Sequence, residues 1–226
     1  MPLRLAFFDL DGTLKRERDP YVYLHRCLGT WEACQAYTAR GMAGEIDFDE
    51  WLHLDVGLWK GTSRATMEDL LRRNPYLPGA RETVAALKQA GVRLVLVSTG
   101  LDVHAEMVRQ ELGIDRAYAN QVLFRDGLVS GEARTVVREG GKGEIVARVQ
   151  AELGVPPEDC LAVGDGTSDA DMVPLVRVGV AVNDPSPRLR AAAHLVIEEA
   201  DLSGLLGRVR EMAPGWVDRR GWRNRR

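Results

Sequence analysis

Short apolar runs alternate along most of the chain with stretches whose apolar residues recur at helical spacing. The runs predict buried strands, because short runs rich in β-branched residues suit strands better than helices. These predicted strands cover residues 3–8, 92–97, 117–119, 160–163 and 178–182, with a hairpin over 122–130 and an edge strand at 195–197. The predicted helices between them cover 80–90, 102–112, 142–153, 169–176 and 187–193. This alternation predicts an α/β fold of three layers, with a mostly parallel sheet between helices.

One long segment departs from the alternation. Residues 15–77 carry helical patterning and no good strand candidate. We therefore expect a small α-helical cap domain inserted after the first strand, on a core formed by residues 1–14 and 78–210. Residues 211–226 are rich in arginine, and we expect them to form a flexible basic tail.

Composition narrows the class of protein. The 226 residues are 45% hydrophobic and 28% charged, with a formal net charge of −3. This balance gives no support for nucleic-acid binding, and no apolar run reaches the roughly 18 residues that a membrane helix needs. The three cysteines have neither paired nor metal-ligand spacing, and we expect them to pack as small apolar side chains. The four histidines also lack metal-ligand spacing, so we expect structural or exposed roles for the histidines. We expect a cytoplasmic protein without a secretory signal, a membrane partner or a nucleic-acid partner.

The first predicted strand ends in two carboxylates separated by one residue, Asp9 and Asp11. Alternate side chains of a strand point the same way, so the two acids can converge where the chain leaves the sheet. Gly12 then permits a tight turn. Since open parallel sheets bind ligands beyond the carboxyl ends of their strands, the pair is a candidate for chemistry. The alternative is a pair of solvated turn residues.

Two more polar clusters occupy comparable positions. Ser98-Thr99-Gly100 follows the second strand, where a hydroxyl and free backbone N–H groups suit a phosphate oxygen. Lys142 opens a helix and can neutralise a phosphoryl group. Taken alone, each also fits an ordinary interpretation, as turn residues for the first and as a solvated lysine for the second.

The last cluster, Gly164-Asp165-Gly166-Thr167-Ser168-Asp169, follows another apolar strand. Helix capping would explain one aspartate, but not the Gly-Asp-Gly frame. Asp165 at the strand end and Asp169 on the next turn can both face one site. Hard carboxylate oxygens beside a dianionic substrate indicate Mg²⁺.

In this order, the four clusters resemble the four motifs of haloacid-dehalogenase-like phosphatases, which have a Rossmann-like core. The chain is more closely similar to the phosphoserine-phosphatase-like branch, which also has a helical cap after its first motif, a Lys-Gly-Glu helix start and a hairpin like that of residues 122–130. The resemblance covers roughly residues 3–206. It implies a phosphatase that acts on a small phosphorylated metabolite.

The resemblance also implies roles for the motif residues. Asp9 would be the nucleophile that forms an aspartyl-phosphate, and Asp11 would protonate the leaving alcohol and then deprotonate water. Mg²⁺ would be held by Asp9, Asp165 and the backbone carbonyl of Asp11, with Asp169 orienting the ligands. The implied phosphate-binding residues are Ser98, Thr99, Gly100 and Lys142.

In the cap, the resemblance points to Arg18, Asp55 and Trp59 as substrate contacts. Phosphoserine phosphatases use an acid and an arginine to hold the amino and carboxylate groups of serine. Here the position of the acid falls near Glu17 or Arg18, with Arg18 the better match in register, and the position of the arginine falls on Asp55. Because an aspartate repels a carboxylate, this pattern does not favour phosphoserine. Trp59 fits a helix core, or alternatively a platform for an apolar or cationic leaving group.

The sequence therefore predicts a Mg²⁺-dependent phosphomonoesterase that is a monomer or a homodimer. Two alternatives stay open. One is a phosphotransferase of the same fold, in which an alcohol takes the phosphoryl group from Asp9. The other is a non-catalytic phosphometabolite-binding protein, because fold alone does not fix function.

Overall fold

The structure, a computed structural model, describes residues 2–216. Its centre is one sheet of seven strands, β1 (Leu5–Phe8), β2 (Arg93–Leu101), β3 (Arg116–Arg125), β4 (Leu128–Arg134), β5 (Cys160–Gly164), β6 (Val178–Val182) and β7 (Leu195–Ile197). The strand order is β4-β3-β2-β1-β5-β6-β7. All neighbours pair in parallel except β3 and β4, which form an antiparallel hairpin. The predicted α/β class is confirmed.

Nine α-helices accompany the sheet in the described part of the chain. They are α1 (Pro20–Leu28), α2 (Trp31–Met42), α3 (Phe48–Leu58), α4 (Arg64–Arg73), α5 (Ala80–Gln89), α6 (Asp102–Leu112), α7 (Lys142–Leu153), α8 (Pro187–Ala192) and α9 (Leu205–Met212). The first four lie between β1 and α5 in sequence, where only helices were predicted. None of these helices is long and apolar enough to cross a membrane.

The central strands are apolar on both faces because helices cover both faces. In β1, Ala6 and Phe8 belong to one hydrophobic cluster, whereas Leu5 and Phe7 belong to another. All four side chains are fully buried. Such two-sided burial accounts for the continuous apolar runs in the sequence.

Strand lengths differ from the prediction on one side of the sheet. β2 continues through the polar Ser98-Thr99-Gly100 to Leu101, with a shift of its register against β3 after Val97. β3 is one strand over Arg116–Arg125, where a short strand and a separate hairpin arm were predicted. The apolar pattern did not predict these longer strands, because polar residues within a strand interrupt the pattern.

The predicted helix over 169–176 is wrong. Two short 3₁₀ turns, Thr167–Asp169 and Val173–Leu175, occupy this region. Pro174 has no N–H to donate, and the Asp169 side chain accepts hydrogen bonds from the backbone of Asp165 and Gly166. Together these features replace the first turns of a regular helix.

Two backbone hydrogen bonds close the base of the helical segment of residues 15–77. Leu77 N–H donates to the carbonyl of Leu14, and Arg16 N–H donates to the carbonyl of Pro75, each at 2.9 Å. Its inner side packs on the ends of β2, β3 and β4 in one buried cluster. The helical segment contributes Leu24, Val56 and Met67 to this cluster, and the strands contribute Leu101, Val122 and Val129.

The predicted tail begins too early. The helix α9 runs to Met212, and the side chain of Trp216 is only 4% exposed. Its Nε1–H donates to the carbonyl of Glu158 at 3.1 Å. Residues 211–216 therefore pack on the core through Ala213 and Trp216, and residues 217–226 lie outside the described part of the chain.

We predict that Trp216→Ala lowers the free energy of unfolding by about 3–5 kcal/mol, because it removes a large buried side chain from the core. Urea denaturation followed by circular dichroism measures the change. Met212→Ala is the matched control on the same segment, since Met212 is 47% exposed. Equal stability of the two variants would contradict the assignment of this segment to the core.

Candidate active site

The motif residues converge where β1 lies between β2 and β5. β2 pairs with one edge of β1 and β5 pairs with the other edge, and all three strands run parallel. Such a switch in strand order opens a crevice at the carboxyl ends of the strands. A cavity of about 210 Å³ lies there. Its lining includes Asp9, Asp11, Ser98, Thr99, Gly100 and Asp165 from the motifs, and Arg18, Asp19, Pro20 and Tyr21 from the helical segment.

A larger groove of about 600 Å³ lies elsewhere, between α4, α6 and β3. None of the residues predicted to take part in chemistry lines it. Of these two concave surfaces, only the smaller cavity brings buried ionisable groups together. It is therefore the candidate active site.

Lys142 is the positive centre of the site. Its Nζ donates to Asp9 Oδ1 and to Asp169 Oδ1, each at 2.6 Å, and its side chain is fully buried. Burial alone lowers the pKa of a lysine, but the carboxylates of Asp169 and Asp9 reverse this effect and raise the pKa of Lys142. The ammonium group is therefore charged and held in one position by two carboxylates.

Three carboxylates meet beside this lysine. Asp9, Asp165 and Asp169 each offer an oxygen within 4.8 Å of the others. Burial, followed by the charge of Asp169, raises the pKa of Asp9 well above its usual range, although Lys142 opposes the shift. The same two causes raise the pKa of Asp165 to about 7. The negative charges of these three carboxylates lie close together, and carboxylate oxygens are suitable ligands for a hard divalent cation.

The oxygens of Asp169 are already engaged. Oδ1 accepts from Lys142, and Oδ2 accepts from the backbone N–H groups of Asp165 and Gly166 at 2.9 and 2.8 Å. Asp169 thereby connects Lys142 to the backbone of the loop that carries Asp165.

Asp165 is fixed from both sides. Thr13 Oγ1 donates to its Oδ1 at 2.8 Å, and Arg18 Nε lies 2.9 Å from its Oδ2. Gly12 passes close by with φ +86°, and a Cβ on this residue would lie 2.3 Å from Asp165 Oδ2. Only glycine allows the backbone to approach the carboxylate in this way.

Asp11 has a partner that sequence reasoning missed. His104 Nδ1 lies 3.0 Å from Asp11 Oδ1, and the histidine is fully buried. Asp11 Oδ2 lies 3.4 Å from Ser98 Oγ. The expected role of His104 as a merely structural or exposed residue omitted this contact. The available signal was its place in the first turn of a helix that begins just after a motif.

The loop-like end of β2 is held by two side chains from other elements. Tyr21 OH and Asn120 Nδ2–H both donate to the carbonyl of Thr99, at 2.9 and 2.7 Å. Asn120 is fully buried, and its Oδ1 accepts from the backbone of Val136 and Val137. Asn120 was also missed, because a single asparagine between two predicted strands gives no signal.

Of the predicted cap contacts, only Arg18 lines the cavity. Besides its ion pair with Asp165, its guanidinium donates to the carbonyls of Asn183 and Asp184 at 3.0 and 3.2 Å. Arg18 thus bridges the helical segment and the loop after β6, while its side chain stays 42% exposed.

Asp55 and Trp59 are buried inside the helical segment. Asp55 Oδ1 accepts from Tyr37 OH and pairs with His25 Nε2, both at 2.8 Å. Trp59 Nε1–H donates to His25 Nδ1 at 3.2 Å, and its ring stacks on Tyr21 at 6.2 Å between centroids. Neither residue lines the cavity, so the structure does not bring these two predicted contacts to the site.

The chain was compared with known proteins. A family model described as haloacid dehalogenase-like hydrolase matches residues 6–173. The chain is 31% identical over 204 residues to the phosphoserine phosphatase of Methanocaldococcus jannaschii, a match that covers 90% of this chain and 96% of the relative. It is 32% identical over 208 residues to that of Wolinella succinogenes, covering 92% and 100% of the two chains.

Solved structures give the same picture. A phospho-aspartyl intermediate analogue of phosphoserine phosphatase has a TM-score of 0.79 and 31% identity, covering 92% of this chain and 99% of that chain. A substrate-bound phosphoserine phosphatase complex has a TM-score of 0.79, 30% identity and the same coverage, 92% and 99%.

We predict that Lys142→Met lowers the free energy of unfolding by about 3–5 kcal/mol in the presence of a chelator, because it leaves two buried carboxylates without their cation. Urea denaturation measures the loss. The double variant Lys142→Met/Asp169→Asn should recover part of it, since one unpaired charge is gone. Lys60→Met, at an exposed position, is the control. A loss below about 1 kcal/mol would contradict the role of Lys142 as the centre of the buried charges.

Proposed function

Because the chain belongs to the haloacid dehalogenase-like hydrolase family, in its phosphoserine-phosphatase-like branch, and is a phosphatase, we propose that it hydrolyses a small phosphomonoester through an aspartyl-phosphate on Asp9. One observation carries the proposal. Asp9, bound to Lys142, and Asp11, bound to His104, line the same small cavity. A nucleophile and an acid–base group are thereby available to one phosphoryl group.

Asp9 supplies the nucleophilic oxygen in the first step. Its carboxylate forms a bond to phosphorus while the bond from phosphorus to the leaving oxygen breaks, and the electron pair of that bond stays on the leaving oxygen. Asp11 transfers its proton to this oxygen, so the product leaves as a neutral alcohol. Lys142, which lies 2.6 Å from Asp9 Oδ1, offsets the negative charge of the phosphoryl oxygens during transfer.

Asp11 acts as a base in the second step. Water attacks phosphorus and gives a proton to the Asp11 carboxylate, while the bond between phosphorus and the Asp9 oxygen breaks. Inorganic phosphate leaves, Asp9 is again a carboxylate, and Asp11 carries the proton needed for the next substrate. The two steps divide one difficult displacement into two easier ones.

We propose Mg²⁺ as the cofactor, held by Asp9, Asp165 and the backbone carbonyl of Asp11. The crowding of like charges around Asp165 supports a divalent cation at this position. When bound, Mg²⁺ supplies positive charge that stabilises the transferring phosphoryl group and the ionised form of Asp9. Thr13 holds the Asp165 carboxylate in place at 2.8 Å, and Asp169 orients the backbone that carries it.

The small cavity and its lining support a small metabolite as substrate. We propose that the helical segment is the cap and that Arg18 contacts the leaving group, because it is the cationic side chain of that segment on the cavity wall. Asp55 is occupied by His25 and Tyr37, so it does not replace an arginine as a carboxylate binder. This pattern speaks against the recognition of serine through a cap arginine.

We predict Mg²⁺-dependent release of inorganic phosphate from at least one member of a panel of L-phosphoserine, sugar phosphates, phosphocholine and an aryl phosphate. Asp9→Asn should abolish release, because an amide oxygen is a poor nucleophile toward phosphorus. Colorimetric phosphate assays with Mg²⁺ and with chelator measure both effects. Added alcohols serve as acceptors, and phosphorylated alcohols in place of phosphate would indicate a phosphotransferase.

Two controls separate catalysis from folding. Circular dichroism must show that Asp9→Asn is folded, and Mg²⁺ should raise the unfolding temperature of the wild type but not of Asp165→Asn. Phosphate binding without turnover of any compound by folded wild-type protein would contradict the proposed hydrolase. Strong preference for L-phosphoserine would contradict the interpretation of Asp55.

A further inference from the structure

The two oxygens of Asp11 have different surroundings. Oδ1 faces His104 Nδ1 at 3.0 Å, inside the protein. Oδ2 lies toward Ser98 and Gly100, two residues that line the cavity, and a Cβ on Gly100 would lie 2.6 Å from it. One oxygen is therefore held by a buried side chain, while the other lies on the side of the substrate cavity.

We propose that His104 is a positioning residue for Asp11, which fixes Oδ1 so that Oδ2 is the oxygen that exchanges the proton. This inference rests on the proposed function, since it assigns a role within the acid–base step. His104 is three residues beyond Leu101, outside the four motifs that the sequence displays. In the described chain it contacts the side chain of Asp11, whose backbone carbonyl is one of the proposed cation ligands, and it makes no hydrogen bond to Asp9 or Asp165.

The hydrogen-bond pattern assigns the tautomer of His104. Nε2 is buried and has no hydrogen-bond partner among residues 2–216. A proton on Nε2 would be a buried donor without an acceptor, whereas a proton on Nδ1 is donated to Asp11. The Nδ1–H tautomer is thus favoured, and it occupies Oδ1 whether Asp11 is ionised or neutral. His104 is thereby bound to Oδ1, and Oδ2 is the oxygen that remains on the side of the cavity.

The histidine is rigidly placed. It lies in the first turn of α6, between the buried Val103 and Ala105. The first residue of the helix, Asp102, accepts from the backbone N–H of Val122 at 3.1 Å and so ties this turn to β3. A carboxyl group held by such a support keeps one orientation, and an error of about 1 Å in the position of a catalytic group costs on the order of 100-fold in rate.

A positioning role predicts a dependence on the leaving group. An alkoxide needs a proton as it leaves, whereas nitrophenolate leaves readily without one. Misplacement of Asp11 should therefore impair the transfer of phosphate from an alkyl ester far more than transfer from p-nitrophenyl phosphate. A general loss of structure would impair both substrates alike.

The experiment compares two variants of the full chain with Mg²⁺ present. His104→Leu removes the donor while nearly keeping the volume, and His104→Asn keeps an N–H donor near the position of Nδ1. We measure kcat/KM, which reports phosphoryl transfer to Asp9, for the alkyl phosphate that the wild type hydrolyses and for p-nitrophenyl phosphate. His104→Leu should lose on the order of 100-fold with the alkyl ester and less than about 5-fold with the aryl ester.

His104→Asn should restore most of the alkyl activity. In addition, His104→Leu should show a burst of nitrophenol equal to the enzyme concentration, because the water step still needs Asp11 as a base. Equal losses on both esters in folded protein, or an Asn variant no better than Leu, would overturn the positioning role. If His104→Leu does not fold, His104→Gln supplies the comparison, since its amide reaches the place of Nε2 and not that of Nδ1.

The outcomes also separate this inference from the proposed function. Turnover by the wild type that is lost in Asp9→Asn supports the phosphatase mechanism, whatever the histidine variants do. Wild-type activity that survives Asp9→Asn would overturn the mechanism and the inference together.

Discussion

The ion triad of Lys142, Asp9 and Asp169 is the interaction on which the rest of the site depends. It joins the start of α7 to the ends of β1 and β5 through two contacts of 2.6 Å. Burial of these charges is unfavourable unless each finds a partner, so the three elements must meet in one arrangement. The sheet supplies that arrangement, because its central strands run parallel and end together at the point where the strand order switches.

Further contacts fix the two carboxylates beside this triad, Asp165 and Asp11. Asp169 holds the backbone of Asp165, Thr13 holds its carboxylate, and Gly12 leaves room for it. His104 holds Asp11 from the side of α6. The helical segment contributes differently, because Arg18 and Tyr21 reach the cavity whereas Asp55 and Trp59 support the segment from within. The motif residues of the cavity thus lie at the strand ends, and the helical segment of residues 15–77 supplies the rest of the named lining.

The strand ends were predictable and their supports were not. Asp9, Asp11 and Asp165 follow apolar runs, so the parallel sheet brings them together. The contacts of His104 and Asn120 depend on how helices and strands pack against each other, and a single polar residue gives no periodic pattern from which such a contact could be predicted. For Asp55, helical spacing predicts its position along a helix, but not how deeply its side chain is buried in the helical segment. Trp216 was assigned to a tail because the residues that follow it are rich in arginine, although its side chain packs in a hydrophobic cluster of the core.

The central claim is that Asp9 becomes phosphorylated, and trapping that species tests it most directly. Asp11→Asn should still be phosphorylated by p-nitrophenyl phosphate, since that leaving group needs little protonation, but it lacks the base for the water step. Peptide mass spectrometry after rapid acid quenching should then locate the phosphoryl group on Asp9. A phosphoryl group on another residue, or undiminished turnover without any phosphorylated protein, would contradict the account.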